Sequence, residues 1–342
     1  MKKLIFSILI VLLAIPVSGC FVSDVFTTKN NTGNYLGSYY EDNYVWGGAM
    51  NLAWNDLNEN ILHDKLQLGT TNPVAIEMVQ KFNEHTFSKN DLDENSYYVK
   101  SGYGQETVNK INQESKLKFP NKSFPDLQIQ LNPKDIISYA YFLKEVEYLT
   151  QFTEKNVKFQ NNDVKGFYAE NREQKDNIKI IKYENDDKFI ISLELKDGSD
   201  QLIVAKGYDM TSPQSIVEEI KKYQPENFTS ISTIDIFEMP NIHLDHHRQY
   251  DELINLPLTN HNFKEYYINT MVEDIKFDMD YKGARVENQA VLLPMLTSIE
   301  FDRPKPKNLI LNKPFWIIMK RTSSQNPYFI LGVNNEKIME NL

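Results

Sequence analysis

One cysteine in 342 residues cannot pair within its own chain, so no disulfide framework holds this protein together. Positive charge is scarce too: 37 Lys and Arg stand against 47 Asp and Glu, a net charge of −10. Phosphate backbones are bound by clustered cations, and here the basic residues are dispersed singly among acids, which excludes nucleic acid as a partner. Catalytic signatures are also missing. There is no Gly-x-Ser-x-Gly elbow, no His-Glu-x-x-His pair, no phosphate loop and no dinucleotide glycine pattern. The expectation is a protein that is not an enzyme and carries no cofactor. No Gly/Ser-rich or Pro-rich stretch divides the chain after residue 45, so residues 45–342 read as one domain with a substantial core.

What is present begins at the N-terminus. Lys2 and Lys3 precede an apolar run from Leu4 to Ile15, followed by Pro16-Val-Ser-Gly-Cys20. A charged start, a short apolar core and small residues before a cleavage point are the parts of a secretory signal peptide. The run is too short to span a bilayer comfortably. Val17 to Cys20 resembles the bacterial lipobox, in which the cysteine is acylated and becomes the first residue. The lone cysteine standing at that position supports the reading. Residues 1–20 are therefore expected to be a lipoprotein signal peptide and 21–44, polar and Tyr-rich toward their end, a tether. The protein is expected outside the cytoplasm, held on a membrane through lipid on Cys20.

Helices come early and antiparallel strands later, which predicts an α+β fold and not a doubly wound parallel sheet. The helical spacings cover Ala49 to Leu62, the stretch opened by Asn72-Pro73, and Gln105 to Glu114. Strands are predicted over Ile178–Tyr183, Lys188–Leu195 and Gln201–Ala205, with a helix from Ser215 to Tyr223. Histidines 243, 246, 247 and 261 are the one cluster with metal-binding chemistry. They read as loop residues near a strand end, with no period that brings His243 and His246 to one face. Asp278-x-Asp280-x-Lys282-Gly283 imitates the front of a calcium loop but places Lys282 at a ligand position and Gln289 where the bidentate glutamate belongs. No metal is expected. The 19 Tyr and 19 Phe fall mostly at strand or helix periodicity, the pattern of core packing and not of a sugar platform.

The most informative stretch is the C-terminal one. Ile275, Phe277, Met279 and Tyr281 alternate with Lys276, Asp278, Asp280 and Lys282, the period of a half-buried strand. After Gly283 the apolar set moves to even positions, with Ala284, Val286, Asn288 and Ala290 separated by Arg285, Glu287 and Gln289. An apolar, proline-marked loop follows to Pro304, and then a hairpin built from Asn312–Met319 and Tyr328–Val333. This order resembles the C-terminal part of the serpins, the protease inhibitors that trap their target by inserting a reactive-centre loop into a sheet. Asp280 to Gly283, Asn312-Lys-Pro-Phe315 and Tyr328 to Val333 carry the resemblance. So do Phe237-Glu-Met-Pro240 followed by Tyr250-Asp-Glu-Leu253, which look like the family's Met-Pro-Lys-Phe strand and the helical stretch after it. Ser138-Tyr-Ala-Tyr-Phe-Leu-Lys144 with Phe152 resembles its central Asn-Ala-x-Tyr-Phe-Lys segment.

The resemblance implies a serpin-like domain with large, mostly antiparallel sheets and an exposed loop hinged at Gly283, Ala284, Val286, Asn288 and Ala290. It implies a bait bond at Leu296, Thr297 or Ser298, a serine or cysteine protease as partner, and a monomer. Its function would be inhibition by loop insertion after cleavage. The alternative is a non-inhibitory binding or structural lipoprotein of the cell envelope on the same scaffold. Departures from the family pattern favour that alternative: Arg285, Val286, Glu287 and Asn288 replace a run of small residues. Tyr281 and Lys282 replace paired acids, and Glu273 and Asp274 stand where the family has a His-Lys pair.

Overall fold

A computed structural model describes residues 4–16, 35–120, 126–223, 225–282, 305–340 and 342. Cys20, Gly283 and the loop residues Ala284, Val286, Asn288, Ala290, Leu296, Thr297 and Ser298 lie outside the described residues.

The first half carries β1 (Leu4–Pro16), β2 (Ser38–Tyr40), β3 (Asn43–Gly47), α1 (Ala49–Leu57), α2 (Pro73–Phe82), β4 (Tyr97–Tyr103), α3 (Gly104–Lys118) and β5 (Ile136–Val146). Then come β6 (Thr153–Phe159), β7 (Asn162–Tyr168), α4 (Arg172–Asp176), β8 (Ile178–Asn185), β9 (Lys188–Leu193), β10 (Asp200–Lys206) and α5 (Pro213–Ile220). The chain closes with β11 (Thr229–Ser230), β12 (Ile236–Pro240), β13 (Ile242–Gln249), β14 (Tyr266–Met279), β15 (Asn308–Ile310), β16 (Phe315–Arg321) and β17 (Pro327–Val333).

Three sheets result. The order β13-β14-β1-β5-β4 makes a five-stranded sheet, β11-β8-β9-β10-β16-β17-β3-β2 an eight-stranded one, and β15-β12-β7-β6 a four-stranded one. Among the described strand pairs only β12 and β15 run parallel. The predicted hairpin is β16 and β17. Every residue of β17 and the first five of β16 are buried, as expected of an apolar run covered on both faces.

Local chemistry explains the helices. Asn72 caps α2 by accepting from the Val74 amide at 3.0 Å, with Pro73 in the first turn. α3 turns Val108 and Ile111 onto Ile137, Tyr139 and Tyr141 of β5, forming a second apolar cluster outside the main core. The main core gathers the opposite face of β5, through Ile136, Ala140 and Phe142, with α1 and the eight-stranded sheet. α1 is buried on all sides, so the modest amphipathicity of its sequence underestimates its depth.

The structure departs from the sequence reading in three places. Tyr35 to Tyr44, expected in the tether, belong to the domain: Tyr35, Leu36 and Tyr44 are buried, and β2 is an edge strand of the eight-stranded sheet. The aromatic residues that made the segment look like a spacer pack edge-on against Trp46, Tyr44 and Trp316. His243 to His247 lie inside β13, not in a loop. Asp251 to Leu253 lie in a turn where a helical stretch was expected. Leu4–Pro16, which holds the apolar run of the expected signal peptide, forms the middle strand of the five-stranded sheet.

Candidate functional site

The candidate site is the strand position between β5 and β14, together with the two points where the segment 283–304 leaves and rejoins the described chain. β1 fills that position. It runs antiparallel to both neighbours, with Phe6 opposite Phe277 and Lys144, Ile10 opposite Glu273 and Ala140, and Ala14 opposite Ile268 and Ile136. A slip in register between Leu13 and Ala14 explains why the alternation of β14 breaks between Ile268 and Met271, which are both buried. From Met271 onward the strand keeps strict period: Met271, Glu273, Ile275, Phe277 and Met279 are buried.

The departure point follows Met279. Asp280 accepts a hydrogen bond from the Lys282 amide at 2.7 Å, and the Phe152 amide donates to the Tyr281 carbonyl at 3.1 Å. Phe152 in turn stacks on Phe167 and packs against Tyr148 and Phe237. The root of the segment is therefore tied to the apolar face of the four-stranded sheet. Burial pushes the Asp280 carboxyl up, with the Lys282 amide and ammonium opposing it.

The return point is β15, held by polar contacts. Asp186 accepts from the Asn308 amide at 2.9 Å and from its side-chain nitrogen at 2.8 Å, and Asp235 accepts from the Lys307 amide at 2.8 Å. Lys206, 2% exposed, donates to the Ile310 carbonyl at 2.8 Å, the Asn312 side-chain oxygen at 3.0 Å and the Asp186 carbonyl at 3.1 Å. Its ammonium also meets Asp187 at 3.3 Å. Burial lowers its pKa, with Asp187 as the main opposing influence. Gly207 follows Lys206 with φ of +82°, and a Cβ there would sit 2.1 Å from the Asp187 carbonyl oxygen. Only glycine fits, and this backbone approach keeps Lys206 beside its partners.

Midway along the slot, Glu273 is buried with its carboxyl facing the core. Tyr250 donates to one oxygen at 2.6 Å. Burial pushes the carboxyl up to about 7, against the Tyr250 hydroxyl, Arg248 and the Met50 amide. In the sequence Glu273 stands out only as a departure from a family pattern. A sharper signal was available: extending the alternation of Ile275, Phe277 and Met279 two residues back puts a charge in the buried set.

The histidines do not converge. His243 and His247 are exposed on the outer face of β13, where His243 pairs with Asp278 and His247 with Asp274 at 2.6 Å. His246 points to the other face and meets Ser38 at 2.7 Å, and burial lowers its pKa to about 4. His261 is exposed and contacts Asn262. Among the described residues no three His, Cys, Asp or Glu side chains are placed to hold a metal ion. Asp278, Asp280 and Lys282, the calcium-like spacing, straddle the end of β14.

No family model matches the sequence, and no curated protein is similar to it at the level of sequence. Among solved structures, mouse protein-Z dependent protease inhibitor is similar, with a TM-score of 0.51 and 15% identity, over 86% of this chain and 91% of that one. The likeness establishes the architecture: the fold is serpin-like, α+β, with large mostly antiparallel sheets.

Proposed function

We propose that this chain is a lipid-anchored, extracytoplasmic protease inhibitor in which segment 283–304 is the bait and the position between β5 and β14 is where the cut segment inserts. The observation that carries the reading is that this position takes a strand running antiparallel to both neighbours. A segment that turns back after Met279 would run in that same direction. A turn over Asp280–Gly283 would set Ala284 opposite Met279. Val286, Asn288 and Ala290 would then stand opposite Phe277, Ile275 and Glu273, at the levels of Phe6, Ile8 and Ile10 of β1.

The occupant seen there, Leu4–Pro16, is also the apolar core of the proposed signal peptide. Cleavage before Cys20 would remove it and leave two facing strand edges. Unpaired edges accept strands readily. Ala284, Val286 and Ala290 suit the buried face. Asn288 would lie there without a partner at a cost of about 1–3 kcal/mol. Each ladder hydrogen bond gained returns about 1 kcal/mol, so a segment of this length outweighs one unpaired amide.

The partner would be a serine or cysteine protease that cleaves near Leu296, Thr297 or Ser298. Titrating a panel of such proteases with the purified protein, while mapping the cut by mass spectrometry, tests the reading. Stoichiometric loss of protease activity with one cut at these residues is the expected result. Catalytic turnover of the chain with undiminished protease activity would reject it. The latter outcome would favour the second reading, a non-inhibitory envelope protein on the same scaffold, which Arg285, Glu287 and Asn288 support because they would slow insertion.

Anchoring is tested separately. Cys20→Ala should move the protein from the membrane fraction to the soluble one after salt and carbonate washing. Retention of the variant on the membrane would refute lipid attachment at this residue.

A further inference from the structure

Away from the strand position between β5 and β14, the far edge of the five-stranded sheet borders a cavity. β13 is that edge strand, and it shares a space of about 360 Å³ with α2 and with the chain around β2. Small-molecule sites begin at about 300 Å³. Val74, Glu77, Met78 and Lys81 line the cavity from α2, at the spacing of one helical face. Leu36, just before β2, is also in the lining, so part of the wall is apolar.

Polar groups in the same wall have bonding capacity left. Arg248 donates to the Leu36 carbonyl at 2.7 Å and lies 3.8 Å over the Tyr250 ring. Among the described residues it makes no other hydrogen bond and no ion pair. The guanidinium is therefore fixed in its plane while most of its N–H donors are unspent. His246 is 7% exposed and bonded through Nε2 to Ser38 at 2.7 Å. Its Nδ1 has no partner among the described residues, an uncommon condition for a nearly buried ring. Glu252, also in the wall, makes no hydrogen bond or ion pair among the described residues.

The other charges in the wall are matched. Lys81 holds Glu77 at 2.6 Å, and His247 meets Asp274 at 2.6 Å. One cation and one anion remain, Arg248 and Glu252. Burial raises the pKa of the Tyr250 hydroxyl, and Arg248 and Glu252 act on it with opposite sign, which puts both charges within electrostatic reach of one group. A simple anion would be drawn by Arg248 and repelled by Glu252, and a simple cation the reverse. A molecule carrying both charges satisfies both.

We propose that this cavity binds a small zwitterion, a free α-amino acid with an apolar side chain, its carboxylate on Arg248, its ammonium on Glu252 and its side chain against Leu36, Val74 and Met78. His246 completes the carboxylate end. Burial lowers its pKa to about 4, so the ring is neutral near pH 7. With Ser38 donating to Nε2, the hydrogen sits on Nδ1 and can be given to the second carboxylate oxygen. The site uses neither the segment 283–304 nor the strand position between β5 and β14, so it stands or falls apart from the inhibitor reading.

The test is isothermal titration calorimetry of the purified full chain with L-leucine, L-methionine and L-phenylalanine. The best of them is expected to bind with a Kd below about 1 mM. Its analogues lacking only the amine or only the carboxylate (4-methylpentanoate and 3-methylbutylamine for leucine) should each bind at least about tenfold more weakly. Arg248→Gln and Glu252→Gln should each weaken the amino acid by a similar factor. Glu252→Gln should not weaken the amine-free analogue, because the carboxylate it repelled is gone. Glu252 holds no partner in the fold, so its variant serves as the readout if Arg248→Gln does not fold. No binding at about 10 mM, an analogue that binds as tightly as the amino acid, or a Glu252→Gln chain that binds the amino acid like the wild type would each overturn the assignment.

Discussion

A chain carrying Val286→Arg is expected to melt at one temperature whether or not its loop has been cut between Val291 and Arg303. In the proposed register Val286 comes to lie opposite Phe277, which is fully buried and packs on Phe329. A valine there completes the apolar face. An arginine would bring an unpaired charge to the same point, at a cost of several kcal/mol, comparable to or larger than the gain from the new ladder. In the intact protein the substitution should be close to neutral. The comparison therefore isolates insertion from general stability, and a cut Val286→Arg chain that still gained stability would place another segment, or another register, in the slot.

The second large effect concerns β15. Lys206→Met is expected to destabilise the protein by about 3 kcal/mol, measured by denaturant unfolding. Methionine fills the volume of the lysine stem but leaves the Ile310 carbonyl, the Asn312 oxygen and the Asp186 carbonyl without the donor they now share. The loss should be local as well as global. Exchange of the Asn308 to Leu311 amides should accelerate ahead of that of β16, because Lys206 ties β15 to β10 and to the segment after it. Uniform acceleration across both strands would mean that the lysine stabilises the domain without acting on the return point of the loop.

The alternation from Ile275 onward predicted β14 because an antiparallel strand with one wet face writes its burial directly into period two. The same rule hid β13. Its exposed positions hold His243, Asp245 and His247, and its buried ones hold Leu244 and His246, so three histidines and an aspartate read as a polar loop. Only the pairing with Asp278, Lys276 and Asp274 on β14 shows why they belong to a strand. Tyr35 to Tyr44 read as tether for the opposite reason, since tyrosines next to a polar tract look solvated until Trp46 and Trp316 are placed against them. Lys206 was out of reach of any local pattern. It ends an apolar strand as surface lysines often do, and two of its partners, Ile310 and Asn312, lie about a hundred residues further on. The strand position itself leaves no signature in side chains, because it consists of two facing backbone edges.

The central claim is that the position between β5 and β14 receives the segment following Gly283 once that segment is cut. Thermal melts of the chain beginning at Cys20, intact and cut once between Val291 and Arg303, test it most directly. The account predicts a rise in melting temperature on the order of 10 °C on cutting, from several new ladder hydrogen bonds and the burial of Ala284, Val286 and Ala290. An unchanged or lower melting temperature in the cut form would contradict it.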